Sequence, residues 1–94
     1  MARLDLSTVE SNEIAAHKAA AGGGAVDALF ELGIMYCTGR DVGVDLVVAH
    51  KFFNLAAMRG NEDAKRYRME LSREMDKRQI AEAQKLAREW LRAN

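Results

Sequence analysis

Proline is absent from the 94-residue chain, so no helix it forms is interrupted at a missing backbone N–H. Cysteine occurs once, as Cys37, which excludes an internal disulfide. With two histidines, His17 and His50, it also falls short of the usual zinc spacings, and no metal or other cofactor is expected. Net charge is zero, with 14 basic and 14 acidic residues, so bulk charge favours neither nucleic acid nor an acidic membrane. Long apolar runs are missing too: none approaches the roughly 18–20 residues that span a bilayer. The opening Met-Ala-Arg-Leu-Asp-Leu lacks the apolar core and small-residue cleavage site of a signal peptide. The expectation is a soluble, cytoplasmic chain.

Reactive constellations are equally sparse. Gly22-Gly23-Gly24 has neither a preceding strand nor a following Lys-Ser/Thr, so it is not a phosphate loop. Cys37 falls at the end of a predicted helix, where the dipole raises a thiol's pKa and does not activate it. His50 is expected on the surface or half-buried, one turn into a helix beside Val47 and Phe53. Paired acids such as Glu62 and Asp63 fit the first turn of a helix better than general acid chemistry. No catalytic residue is assigned, and the chain is expected not to be an enzyme.

What the chain does contain is helix-forming and amphipathic. Hydrophobic residues make up 49% and charged residues 30%, ordinary for one globular domain spanning 1–94. The zero net charge hides a polarity, since residues 1–58 hold four basic against seven acidic side chains and residues 59–94 ten against seven. Acidic residues interrupt every basic cluster and few aromatics accompany them, so the basic end reads as a solvated helix surface.

A repeat of thirty-six residues is visible. Ala20-Ala21, Gly24 and Ala28 return as Ala56-Ala57, Gly60 and Ala64, each time as the end of an apolar helix, its C-terminal cap and the start of the next. Five helices follow. Ser7 to about Ala21 opens on the capping box Ser7-x-x-Glu10, and Ala25 to about Cys37 turns Ala25, Ala28, Leu29, Leu32 and Tyr36 to one face. Asp45 caps a helix to about Arg59 with Val48, Ala49, Phe52, Phe53 and Ala56 inward. Asn61 caps Glu62 to about Glu74, burying Ala64, Tyr67, Leu71 and Met75. Asp76-x-x-Gln79 boxes the last, with Ile80, Ala83, Ala87, Trp90 and Leu91 inward. Gly33, costly inside a helix by about 1 kcal/mol, implies a close helix approach, with Ala49 or Ala56 expected opposite.

Ala28-Leu-Phe-Glu-Leu-Gly-Ile-Met-Tyr36, then Gly39, Arg40, Val42 and Asp45, then Ala49-His-Lys-Phe-Phe53 and Ala56-Ala57-x-x-Gly60-Asn-x-x-Ala64, resembles one Sel-one-like repeat. These helix pairs are relatives of the tetratricopeptide repeat. The resemblance implies an all-α fold, a short right-handed α/α solenoid of about five helices. Residues 28–64 would be the full repeat, 11–27 a partial one before it and 65–94 a degenerate or capping one after it. Departures are Asp41, where the loop usually has a second Gly, and Gly43, where it often has Pro. Met69 stands where Gly33 would recur, so the last unit is expected to tilt differently or to cap the stack.

A solenoid presents a face built from the first helix of each pair. On that face lie Asp27, Phe30 and Ile34, continued in the next unit by Asp63, Arg66, Glu70 and Arg73. An apolar patch followed by a charged one suits a helix or extended peptide of a partner protein, and this is the expected binding surface of a non-catalytic scaffold. Two alternatives stand beside it: the first helix, 7–21, covers Phe30 and Ile34 within the monomer, or the chain is a structural piece that pairs with itself.

Overall fold

Helix ends in this chain are set by local chemistry. The computed structural model describes residues 18–22 and 24–94, and every regular element among them is a helix. The helices are α1 over 18–22, α2 Val26–Thr38, α3 Leu46–Met58, α4 Glu62–Glu74 and α5 Lys77–Ala93. The Ser7–Glu10 box, His17 and most of the first predicted helix lie outside the described residues. No described helix is long and apolar enough to cross a membrane.

Three helices start on side-chain caps, each satisfying a backbone N–H that the helix leaves unpaired. Asp45 Oδ1 accepts from the Val48 N–H at 3.1 Å, and Asn61 Oδ1 from the Ala64 N–H at 2.8 Å. Asp76 and Gln79 form the reciprocal box, at 2.8 and 3.0 Å. Helix α2 starts at Ala25 without a side-chain cap, so Ala25 is an exposed terminal residue and not the core residue its periodicity predicts.

The thirty-six-residue spacing reappears in the backbone. The N–H of Ala25 bonds the carbonyl of Ala20 at 3.3 Å and that of Gly24 bonds Ala21 at 2.7 Å. Thirty-six residues on, Asn61 bonds Ala56 at 3.1 Å and Gly60 bonds Ala57 at 3.0 Å. This crossed pair closes a helix through a left-handed residue, and Gly24 and Gly60 have φ of 83° and 97°. In the loop after α2, Asp41 takes φ 66°, a left-handed conformation that glycine prefers and aspartate tolerates better than most residues. The loop closes where the Asp45 N–H reaches the Tyr36 carbonyl at 2.9 Å.

Helix α3 is the hub: α2, α4 and α5 all pack on it, and α5 returns to α3 instead of lying along α4. Leu29, Leu32 and Met35 of α2 meet Ala49, Phe53, Leu55 and Ala56 of α3, all of them buried. Against α4 the register is antiparallel. His50 meets Ser72, and Asn54 accepts from Arg68 at 2.8 Å, one number rising by four as the other falls by four. At Gly33 the two helices approach so closely that a Cβ would lie 2.6 Å from ring carbons Cδ1 and Cε1 of Phe53. The close approach is as expected, but its partner is an aromatic ring, not Ala49 or Ala56.

Burial corrects four further expectations. Tyr67 is 38% exposed and Leu91 39%, although both were placed inward by spacing. Tyr36 is half-buried, its ring stacked on Phe52 at 6.0 Å. His50, expected near the surface, is 3% exposed. The Ser72 hydroxyl donates to the Arg68 carbonyl at 2.9 Å, so at 3.0 Å it accepts from Nε2–H of His50. That arrangement leaves Nδ1 unprotonated, buried and without a partner among the described residues. Burial, then the nearby Arg68 charge, pushes the imidazole pKa below its ordinary 6.5.

Two outcomes are expected. Gly33→Ala should destabilise, because overpacking against the ring costs about 1–3 kcal/mol while helix propensity returns about 1 kcal/mol. In a Phe53→Leu background, which itself destabilises, the penalty for Gly33→Ala should shrink markedly in denaturant titrations; an unchanged penalty would mean that the ring is not the obstacle. For His50, the unfolded chain binds the proton more readily than the folded one. Stability is therefore full above pH 6.5 and declines as pH falls from there toward the folded pKa. Urea unfolding of His50→Leu should lack this component; an identical pH profile in both proteins would refute the assignment.

Candidate binding face on α2 and α4

The charged residues assigned to binding lie on α2 and α4. Asp27, Asp63, Arg66, Glu70 and Arg73 are all exposed. Arg66 is ion-paired with Asp63 one turn back, so part of its charge is already matched. Because α2 and α4 both run antiparallel to α3, they run side by side in the same direction. Phe30 reaches Tyr67 with ring centroids 5.8 Å apart, bringing the α2 and α4 residues onto one adjoining surface. Asp27, in the first turn of α2, and Arg73, in the last turn of α4, stand at its opposite ends.

Phe30 and Ile34 are half-buried and pack against the core. The Phe30 ring also lies 5.8 Å from Phe53, tilted by 55°, within the separation at which aromatic pairs attract. Covering of these two side chains by residues 7–17 concerns a segment outside the described residues.

Tyr67 is the residue that sequence reasoning left out of the face. Its ring stacks on Phe53 at 5.3 Å and 15°, yet 38% of the residue stays exposed. Arg66 and Glu70 flank it around a surface pocket of about 140 Å³. The signal was present, because Tyr67 belongs to two helical rows: one with buried Ala64 and Leu71, the other with exposed Asp63 and Glu70.

At the C-terminal end of α2, burial and then the carboxylates of Glu74 and Glu70 push the Cys37 thiol pKa up. This is opposite to the activation of a nucleophile. No group of three or more His, Cys, Asp or Glu among the described residues could hold a metal ion. No family model matches the chain, and comparisons with curated proteins and with solved structures find no match.

The ring contacts make a specific energetic demand. A double-mutant cycle on Phe30→Leu and Tyr67→Leu should return a coupling of about 0.5–1.5 kcal/mol in chemical denaturation. Additive effects would show that the two rings do not meet.

Proposed function

We propose that this chain is a Sel-one-like helical-repeat scaffold, a short α/α solenoid, that holds a segment of another protein on the α2/α4 face without catalysing a reaction. The observation that carries the binding face is Tyr67, a large aromatic held rigidly by two rings yet left open between an arginine and a glutamate. Rigid aromatics beside charged neighbours are the residues from which interface anchors are made. Support for the repeat reading comes from the crossed hydrogen-bond pair that recurs thirty-six residues apart, and from Asp41 taking a glycine-like backbone where the repeat has glycine. In this reading α5, returning to α3, is the cap that ends the stack.

Self-association is the second reading, favoured by Met69 and Leu91, which leave 51% and 39% of their surface exposed on the two helices of the last unit. Sedimentation over a range of concentrations separates the two, and a monomer is expected. The double variant Arg66→Glu/Glu70→Lys, changed at exposed positions, should shift stability by less than about 0.5 kcal/mol. A partner identified with the unmodified chain should bind this variant roughly ten-fold more weakly. A concentration-dependent dimer with no such partner would replace the scaffold by the self-pairing module.

A further inference from the structure

A second pocket lies away from the α2/α4 face. Leu32 is two positions from Phe30, about 200° further around α2. It forms the floor of a half-open pocket of about 230 Å³ with Ala21 of α1, Phe52 of α3 and Trp90 of α5. Leu32, Ala21 and Phe52 are buried, and Trp90 is half-buried, so the interior is apolar. A cavity of about 150 Å³ admits benzene, which makes this one roomy enough for a leucine or phenylalanine side chain. It is smaller than the roughly 300–1,000 Å³ of pockets that enclose whole small molecules. Its size and half-open form suit one side chain of a polymer whose backbone stays outside.

Among the described residues that line the pocket, the charged ones are basic. Lys18 and Lys51 both line it. Arg59 adds a third cation, its guanidinium 5.6 Å from the centre of the Trp90 ring. Lys51 is half-buried, with Nζ 4.2 Å from the centroid of Phe52. Among the described residues no carboxylate is within ion-pair distance of it, and the lining holds no acid. Asp45, which favours the Lys51 charge from a distance, already caps α3 by accepting the Val48 N–H. Burial, followed by repulsion from Lys18, lowers the Lys51 pKa, so a partly desolvated ammonium stands over an apolar floor.

We infer that this pocket binds a partner peptide in which a large apolar side chain sits directly beside an acidic one, the first filling the space above Leu32 and Phe52 and the second meeting Lys51. The carboxylate would supply a counter-charge that no described residue gives Lys51, in a setting where desolvation strengthens the pair. The inference does not depend on the α2/α4 face, since the two surfaces share no residue.

Trp90 is the sole tryptophan and lines the pocket, so its fluorescence reports occupancy in the intact chain. The blocked tripeptide Ac-Glu-Phe-Glu-NH2 should change its emission saturably, in the roughly millimolar range expected of so short a ligand. Ac-Lys-Phe-Lys-NH2 and Ac-Glu-Ala-Glu-NH2 should each bind at least about five-fold more weakly. Lys51→Met, which keeps the stem over Phe52, should weaken the acidic peptide by a similar factor with an unchanged circular dichroism spectrum, and Lys51→Arg should retain binding. Equal responses to all three peptides, full binding by Lys51→Met, or no saturable change would each overturn the proposal. Any of these would leave the α2/α4 face standing, because its partner is measured separately.

Discussion

The contact between Gly33 and the ring of Phe53 is the constraint on which the other contacts depend. A single methyl group at Gly33 would lie 2.6 Å from two ring carbons, so α2 and α3 can approach this closely only with glycine there. Phe53 is completely buried as a result and becomes the surface on which Phe30 and Tyr67 rest. The glycine is unfavourable for helix formation taken alone, and the burial of a whole phenylalanine, worth about 1.5–3 kcal/mol, offsets that.

Helix α3 distributes this packing in two directions. Phe52 and Phe53 are neighbours in sequence and therefore about 100° apart around the helix. Phe53 supports the aromatic group that ends at Tyr67, while Phe52 stacks on Tyr36 and lines the pocket with Trp90. Each of the two candidate recognition surfaces thus has one of these rings behind it. The polar ties His50 to Ser72 and Asn54 to Arg68 fasten α4, the helix that carries Tyr67, to α3. A scaffold that binds without rearranging requires this kind of support, because an anchor already immobilised loses little entropy on binding.

Helix limits were legible in the sequence because capping is local. Asp45, Asn61 and the Asp76–Gln79 pair each act within three residues of themselves, and Gly60 ends α3 with its own backbone. Facing was less legible, since it depends on which helices meet. Periodicity placed Tyr67 and Leu91 inward, but α5 packs on α3 and leaves α4 and its own last turn partly uncovered. His50 lies one turn before Phe53, at the edge of the face predicted inward, and its full burial follows from α4 crossing over it at Ser72. The neighbour of Gly33 was similarly hidden: small residues at Ala49 and Ala56 are what spacing alone recommends, whereas the rotation of α3 presents Phe53. Of the binding residues, the exposed charges were readable one by one, and the pocket at Trp90 was not, because four separate helices build it.

The most direct measurement is the proton spectrum of Gly33 in solution. With the ring of Phe53 packed against it, the Gly33 Hα resonances should be displaced strongly from their ordinary positions by the ring current and show cross-relaxation to the Phe53 ring protons. Both effects should disappear in Phe53→Leu. Gly33 Hα resonances at ordinary positions, without cross-relaxation to that ring, would contradict the α2–α3 packing on which the Phe30–Phe53–Tyr67 group rests.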